Sequence, residues 1–347
     1  MEKKSQYSAV HYDLVRRMNT LRVITCFQNL ETATKSEIAR QTGLSIPTVG
    51  AILNSLIEAG EILQQGLDSP NGGRPAERFE ICPLNTLTLG IALNLHSSEY
   101  VIADSLGTIL ERHPFDTESE NTVSIIENII EEALEAHPAV KIISIGVPSS
   151  INDGVICFSP RKFKSLNDIN LGRYIREKYQ LPVIVENDLN AIVQGQYLRE
   201  YDGVTGGLVH FFITADGVGL GINVNGQLVR GNTGLAGETG FLPCCNGRNV
   251  RDATDAATTR KELIEIVANV LASVSCILNP HYFFISGERI DPDMLPEIKA
   301  YASKIWPDGI LPEVKYANDV MGHYLNGLID MARKEIYSPD NYLVNIS

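Results

Sequence analysis

The chain has 347 residues, 44% hydrophobic and 20% charged, with a net charge of −13. That length exceeds one ordinary core and fits two or three domains. No apolar run reaches the roughly 18–20 residues of a membrane span, and the basic start MEKKSQYSAVHYDLVRR lacks the apolar stretch of a secretory signal.

The six cysteines, at 26, 82, 157, 244, 245 and 276, show no paired framework. A chain this long with such scattered thiols is expected in a reducing compartment, the cytoplasm. The acidity is uneven. Residues 1–90 hold nine Lys/Arg and nine Asp/Glu, so the remainder carries the whole −13. A neutral front on an acidic body implies two parts with different partners, divided as 1–84 and 85–347.

In the front part, Leu14, Met18, Leu21, Ile24 and Phe27 recur at helical spacing. A short helix follows, capped by Thr34 or Ser36 and ended by Gly43. Ser45 with Pro47 starts a second helix, which buries Val49, Ile52, Leu53, Leu56 and Ile57 and stops at Gly60. Two short helices on a glycine turn make a helix-turn-helix, or else an ordinary helical hairpin. In a helix-turn-helix the second helix offers its N-terminal residues to the major groove. Here those are Ser45, Ile46, Thr48 and Gly50, with Asn54 one turn on. The stretch GEILQQGLDSPNGGRPAERFEI then reads as strand, loop, strand: a wing. At its tip Gly73 and Arg74 precede Pro75. An extended Gly-Arg-Pro suits a narrow, A·T-rich minor groove, where negative potential is strongest. Without a DNA partner it would be a flexible turn with an incidental arginine.

From Leu87 the pattern becomes strands. LTLGIALNLHSSEYVIADSLGTILER reads as a three-stranded meander, and GGLVHFFITADGVGLGINVNGQLVRG repeats the plan with Asn225-Gly226 as a hairpin turn. Between them lie a helix near 121–136, a strand near 140–147, and the strand and helix of VIVENDLNAIVQGQY. After the second meander come a helix (260–278), a strand (281–286), a helix, a strand (311–316) and a final helix (319–336). A duplicated unit of this kind is the plan of the two-lobed actin-like, ribonuclease-H-like ATPase and sugar-kinase architecture, whose ligands sit in the cleft. Lobe one would run from 85 to 185 with the final helix, lobe two from 186 to 318. The fold class is α/β behind a winged helix-turn-helix. Within the cleft segment, Asn187 and Asp188 open a helix. They read as a proton-accepting base, as ligand-holding groups, or as a helix cap.

The long ordered motifs resemble the ROK family of bacterial repressors and sugar kinases over nearly the whole chain. They are ISIGVPSSINDGVICFSP, PVIVENDLNAIVQGQY, DGVGLGINVNGQLVRGNTGLAGETGF and LNPHYFFISGERI. The front segment, with its Gly-Gly-Arg-Pro, resembles the repressor members. The resemblance implies Asp188 as the kinase base, with Asn187 and Glu238 hydrogen-bonding sugar hydroxyls.

The phosphate grips of that family depart. Its Asp-x-Gly-Gly-Thr loop is Asn94-Leu95-His96-Ser97-Ser98 here. Its Gly-Thr-Gly-x-Gly loop is Ala215-Asp216-Gly217-Val218-Gly219, and its late Gly-Gly turn is Gly287-Glu288. Added carboxylates repel phosphate, so no ATP is expected and Asp188 becomes a vestigial base. The family's zinc motif is reduced: its His is Phe241 and its cysteine run is CCNGRNVRD, so no zinc is expected either. The stretch between Asp252 and the long helix is short, which suggests missing helices around the pocket. Arg161 stands where the family has an asparagine; facing the cleft it would favour an acidic ligand, and otherwise it is a solvated arginine.

The expected protein is a cytoplasmic transcriptional repressor of carbohydrate genes, not an enzyme, with no metal and no membrane partner. It would act as a homodimer or higher oligomer on an A·T-rich inverted repeat and respond to a sugar-like effector. The alternatives are a ROK sugar kinase with an added DNA-binding domain, and an effector-independent DNA-binding protein.

Overall fold

The computed structural model describes residues 15–16, 19–20, 22–27, 30, 32–67, 76–117, 121–152, 154–201, 205–244, 247–305 and 311–336. The front module contains α1 (helical residues 22–27), β1 (Thr32–Thr34), α2 (Lys35–Thr42), α3 (Ile46–Glu58), β2 (Ile62–Leu67) and β3 (Glu77–Ile81). Local chemistry fixes its helix ends. Thr34 caps α2 in a capping box: its Oγ1 accepts the Glu37 amide while the Glu37 carboxylate accepts the Thr34 amide at 2.8 Å. Gly43, at φ 72°, ends the helix in the left-handed region. Ser45 caps α3 through the Thr48 amide, with Pro47 in the first turn.

Val49, Ile52, Leu53 and Leu56 of α3 are buried against Val23, Ile24, Phe27, Ile38, Ile62 and Phe79. Ile57 is only half-buried. β3 is the central strand, antiparallel to both β2 and β1. β1 was not foreseen from the sequence.

The body holds two five-stranded sheets of one design. In lobe one the order is β10 (Val183–Asn187), β7 (Val140–Val147), β4 (Leu87–Ala92), β5 (Ser98–Ala103), β6 (Ile109–Phe115). In lobe two it is β15 (Glu313–Tyr316), β14 (Tyr282–Ser286), β11 (Gly207–Ile213), β12 (Val218–Val224), β13 (Gln227–Leu228). Each sheet is an antiparallel meander extended by two parallel strands. The Asn225-Gly226 turn has both residues at positive φ, 54° and 78°, as a twist-matched two-residue hairpin requires. Lobe one's core packs Ile126 and Ile130 of α4 (Thr122–Ala136) and Ile175 of α5 (Leu171–Tyr179) against its sheet. Lobe two's core is built on α8 (Arg260–Leu278) and α9 (Leu295–Ile305). The short helix α7 (Val250–Ala256) fills the stretch after the cysteine run.

The lobes meet on two helices, α6 (Asp188–Glu200) and α10 (Val320–Ile336). They cross at glycines: a Cβ on Gly195 would lie 1.9 Å from the His323 carbonyl oxygen, and one on Gly327 1.9 Å from that of Ala191. Only residues without a side chain permit this approach. α6 is buried on all sides from Leu189 to Gln196. Several of its polar side chains are paired internally. Gln194 donates to Asp330 and accepts from Asn223, while Gln196 and Ser286 hold His210. Burial pushes the His210 imidazole down to about 3, so it stays neutral.

Candidate functional site

The N-terminus of α6 opens into a cavity of about 150 Å³ between the lobes. Lobe one supplies Ser149, Ser150 and Phe158; lobe two supplies Thr214, Asp216, Glu238, Phe241 and Arg251. Asn187 and Asp188 sit at the junction and line it too. Asn187 ends β10 and caps α6, accepting the Asn190 amide at 3.1 Å while its Nδ2 donates to the Ser149 carbonyl at 3.2 Å and to Asp188 Oδ1. The helix-cap reading therefore holds in the geometry, alongside the cavity position. Asp188 Oδ1 also accepts the Leu189 amide at 2.8 Å. Glu238 Oε1 accepts the Ser150 hydroxyl, which joins the two walls.

Asp188 carries the strongest electrostatic signature of the cavity. Burial pushes its carboxyl from 3.8 up to about 7, the Glu238 charge adds to this, and the Leu189 amide opposes it. The folded chain holds this proton more tightly than the unfolded chain. Stability from this group is therefore full below about pH 4 and is lost as pH rises through about 7. Asp188→Asn, which has no charge to bury, should raise thermal stability at pH 8, with the gain vanishing near pH 4. At about 1.4 kcal/mol per pH unit, discounted because the group faces the open cavity, the gain is roughly 1–3 kcal/mol. Melting curves at the two pH values check it.

Toward the other end of the cavity lie the loops after β4 and β11. Asn94 folds its loop back, its Oδ1 accepting the His96 amide at 3.0 Å. Glu288 reaches both loops: Oε1 accepts the Ala215 amide at 2.8 Å, and Oε2 lies 3.1 Å from His96 Nε2. Gly287, at φ 115° with no room for a Cβ beside the Ile213 carbonyl, sets Glu288 in this position. Arg161, an effector-binding candidate if it faced the cleft and otherwise a solvated arginine, is exposed on the turn Arg161–Leu166 and does not line the cavity. The turn's buried anchors, Phe163 and Leu166, point inward and leave Arg161 outside. Among the described residues no group of three or more His, Cys, Asp and Glu could hold a metal; Cys245 lies outside them.

Sequence reasoning missed Ser149, Ser150 and Phe158 as cavity residues. The signal was the ISIGVPSSINDGVICFSP motif itself, whose hairpin β8 (Ser150–Asn152) and β9 (Val155–Cys157) presents its ends to the cleft.

In the front module, Ser45, Ile46 and Asn54 are exposed on α3, while Thr48 and Gly50 are half-buried. Ile46 is 54% exposed. A Cβ at Gly50 would meet nothing within 4 Å, so the helix surface there is open to close approach. Gly73 and Arg74 lie outside the described residues.

Known proteins match both parts. The ROK family model matches residues 88–252, and the IclR helix-turn-helix domain model matches residues 18–66. A putative xylose repressor of Caldicellulosiruptor sp. (strain Rt8B.4) is 27% identical over 244 residues, 67% of this chain and 60% of that one. The xylose repressor of Bacillus subtilis (strain 168) is 27% identical over 220 residues, 60% of this chain and 56% of that one. The matches thus span somewhat under two thirds of these relatives. Among solved structures, a ROK family transcriptional regulator, a homolog of the E. coli MLC protein, superposes with a TM-score of 0.72 at 18% identity, covering 95% of this chain and 98% of that one. A ROK hexokinase from Thermus thermophilus gives 0.59 at 20% identity, covering 72% and 99%. These likenesses establish the two-lobed fold. The chain carries a ROK-family domain preceded by an IclR-type helix-turn-helix domain.

Proposed function

We propose that the protein is a sugar-responsive transcriptional repressor whose body binds an effector and does not transfer phosphate. The observation that carries this reading is one chain joining a helix-turn-helix to an interlobe cavity floored by Asn187, Asp188 and Glu238. Carboxylates and an amide suit sugar hydroxyls, which each donate and accept. The names of the relatives, xylose repressors, make an aldose the first candidate class.

The nucleotide end supports a sensor over a kinase. Glu288 occupies the Ala215 amide that a phosphate oxygen would need, and its charge repels that phosphate. The residues there do not fit ATP. Asp188 then acts as a hydrogen-bonding group and not as a base. Phe241 in place of a histidine, with the reduced cysteine run, fits no zinc. A coupled ADP-release assay across aldoses should show no turnover, and turnover abolished by Asp188→Asn would overturn this part.

On the DNA side, Ser45, Ile46, Thr48, Gly50 and Asn54 would enter the major groove. Gly73 and Arg74 would enter an adjacent A·T-rich minor groove. One such module reads one half-site, so a homodimer on an inverted repeat, in the cytoplasm where the DNA lies, is the simplest working form. Asn54→Ala should cost about 1–3 kcal/mol of operator affinity, while Arg74→Ala should flatten the A·T preference and lower the salt slope by about one. Anisotropy titrations at several salt concentrations measure both, and unchanged values for Arg74→Ala would remove it from the interface. The effector works by preferring one lobe arrangement and so shifting the population of DNA-competent dimers.

A further inference from the structure

An aromatic pair stands at the rim of the cavity, outside the chain's hydrophobic cores. Phe158 follows β9 in lobe one, and Phe241 ends the turn after Glu238 in lobe two. They are 65% and 64% exposed, and neither belongs to a hydrophobic core cluster. Their ring centroids lie 6.5 Å apart at 69°, edge to face, and both rings line the cavity. Exposing a large apolar side chain forgoes about 1.5–3 kcal/mol of burial. Phe158 moreover holds φ at 53°, a left-handed conformation that costs a non-glycine residue about 1–2 kcal/mol. Two costs at one rim mark a site built for something outside the chain.

The charge of the cavity narrows what that is. Two carboxylates, Asp216 and Glu238, and the burial-neutralised carboxyl of Asp188 line it against one arginine, Arg251. A phosphorylated or acidic ligand would meet a net negative wall. A neutral sugar meets acceptors for its hydroxyls at the floor. A free monosaccharide held there leaves two phenyl rings in water. An apolar group at the anomeric position, extending toward the rim, covers both, and a third ring can pack on the solvent side of an edge-to-face pair.

Resting on the sugar-sensor reading above, we propose that the preferred effector is an unphosphorylated glycoside with an apolar, aryl-type aglycone. Its aglycone lies against the exposed sides of Phe158 and Phe241, and its hydroxyls lie on Asn187, Asp188 and Glu238. Because the two rings come from different lobes, the aglycone ties the lobes together. Such a ligand grips the lobe spacing more strongly than a free sugar does.

Calorimetric titration of the full chain with methyl and phenyl β-glycosides of xylose and glucose, and with glucose 6-phosphate, tests this. The phenyl glycoside should bind at least tenfold more tightly than the methyl glycoside of the same sugar, and the sugar phosphate should not bind. Phe158→Ala and Phe241→Ala should each erase the phenyl advantage, phenyl glycoside affinity falling at least tenfold more than methyl glycoside affinity. Phe241→Tyr, which keeps the ring, should retain the advantage. Equal binding of methyl and phenyl glycosides, or an advantage that survives both alanine variants, overturns the aglycone site while leaving the sugar pocket standing. Tightest binding of the sugar phosphate also overturns it. Absence of binding by every glycoside sinks the sugar-sensor reading itself.

Discussion

Gly195→Val should destabilise the body more than any other single change considered, by more than about 4 kcal/mol, and lower its melting temperature by roughly 10 °C or more. The reason is backbone against backbone. A Cβ at this position would lie 1.9 Å from the His323 carbonyl oxygen and 2.7 Å from the Gly327 amide nitrogen. Overpacking a core usually costs about 1–3 kcal/mol because side chains can shift. Here no flexible side chain can yield, so α6 and α10 must separate. That separation strips Leu189, Ala191 and Ile192 from Tyr324, Leu325 and Leu328, and breaks the Gln194–Asp330 hydrogen bond. Gly50→Ala serves as the control: its Cβ meets nothing, and the front module should keep or slightly gain stability. Melting curves by circular dichroism decide the matter, and a Gly195→Val protein that melts with the parent would mean that the helix crossing is looser than described.

The second large effect concerns the effector. Glu238→Ala should weaken glycoside binding by roughly 10- to 150-fold, the loss of one hydrogen bond to a charged group worth about 1.5–3 kcal/mol. It also frees the Ser150 hydroxyl, so the link across the cavity goes with it. Affinity for operator DNA without effector should stay unchanged, because Glu238 lies in lobe two, outside the helix-turn-helix. The observable is the sugar concentration that half-releases operator, which should rise by the same factor. A midpoint that does not move would take Glu238 out of the pocket.

How much of this was readable without coordinates depends on the range of the interaction. Local chemistry was legible. The Thr34 cap, Gly43, Ser45 with Pro47, the Asn225-Gly226 turn and the span Arg260–Leu278 all follow from residues within a few positions of one another. The duplicated meander was legible from pattern, since each copy is continuous in sequence. Long-range arrangements were not. β1 is three residues long and pairs with β3 more than 40 positions away, too short to carry a period. α6 shows no amphipathic face because it is buried from every side, so its place between the lobes left no stripe to read.

The site divides the same way. Asn187 and Asp188 stood out as a helix-opening amide and carboxylate, Glu238 was identified by resemblance, and the fold brings all three to one cavity. Arg161 was placed by the same analogy, and its turn faces it outward instead. Glu288 was legible only as an added negative charge. That its carboxylate takes the Ala215 amide, 73 residues earlier, depends on how two loops of one sheet meet. The meeting of Phe158 with Phe241 is of this kind too: nothing in either segment names the other.

The most direct test follows operator anisotropy and ADP release together while the full chain is titrated with neutral aldoses and their glycosides in the presence of ATP and magnesium. At least one of these ligands should release the DNA at saturating concentration while ADP stays at background. DNA binding indifferent to every one of them, or sugar-dependent ADP release that Asp188→Asn abolishes, would contradict it.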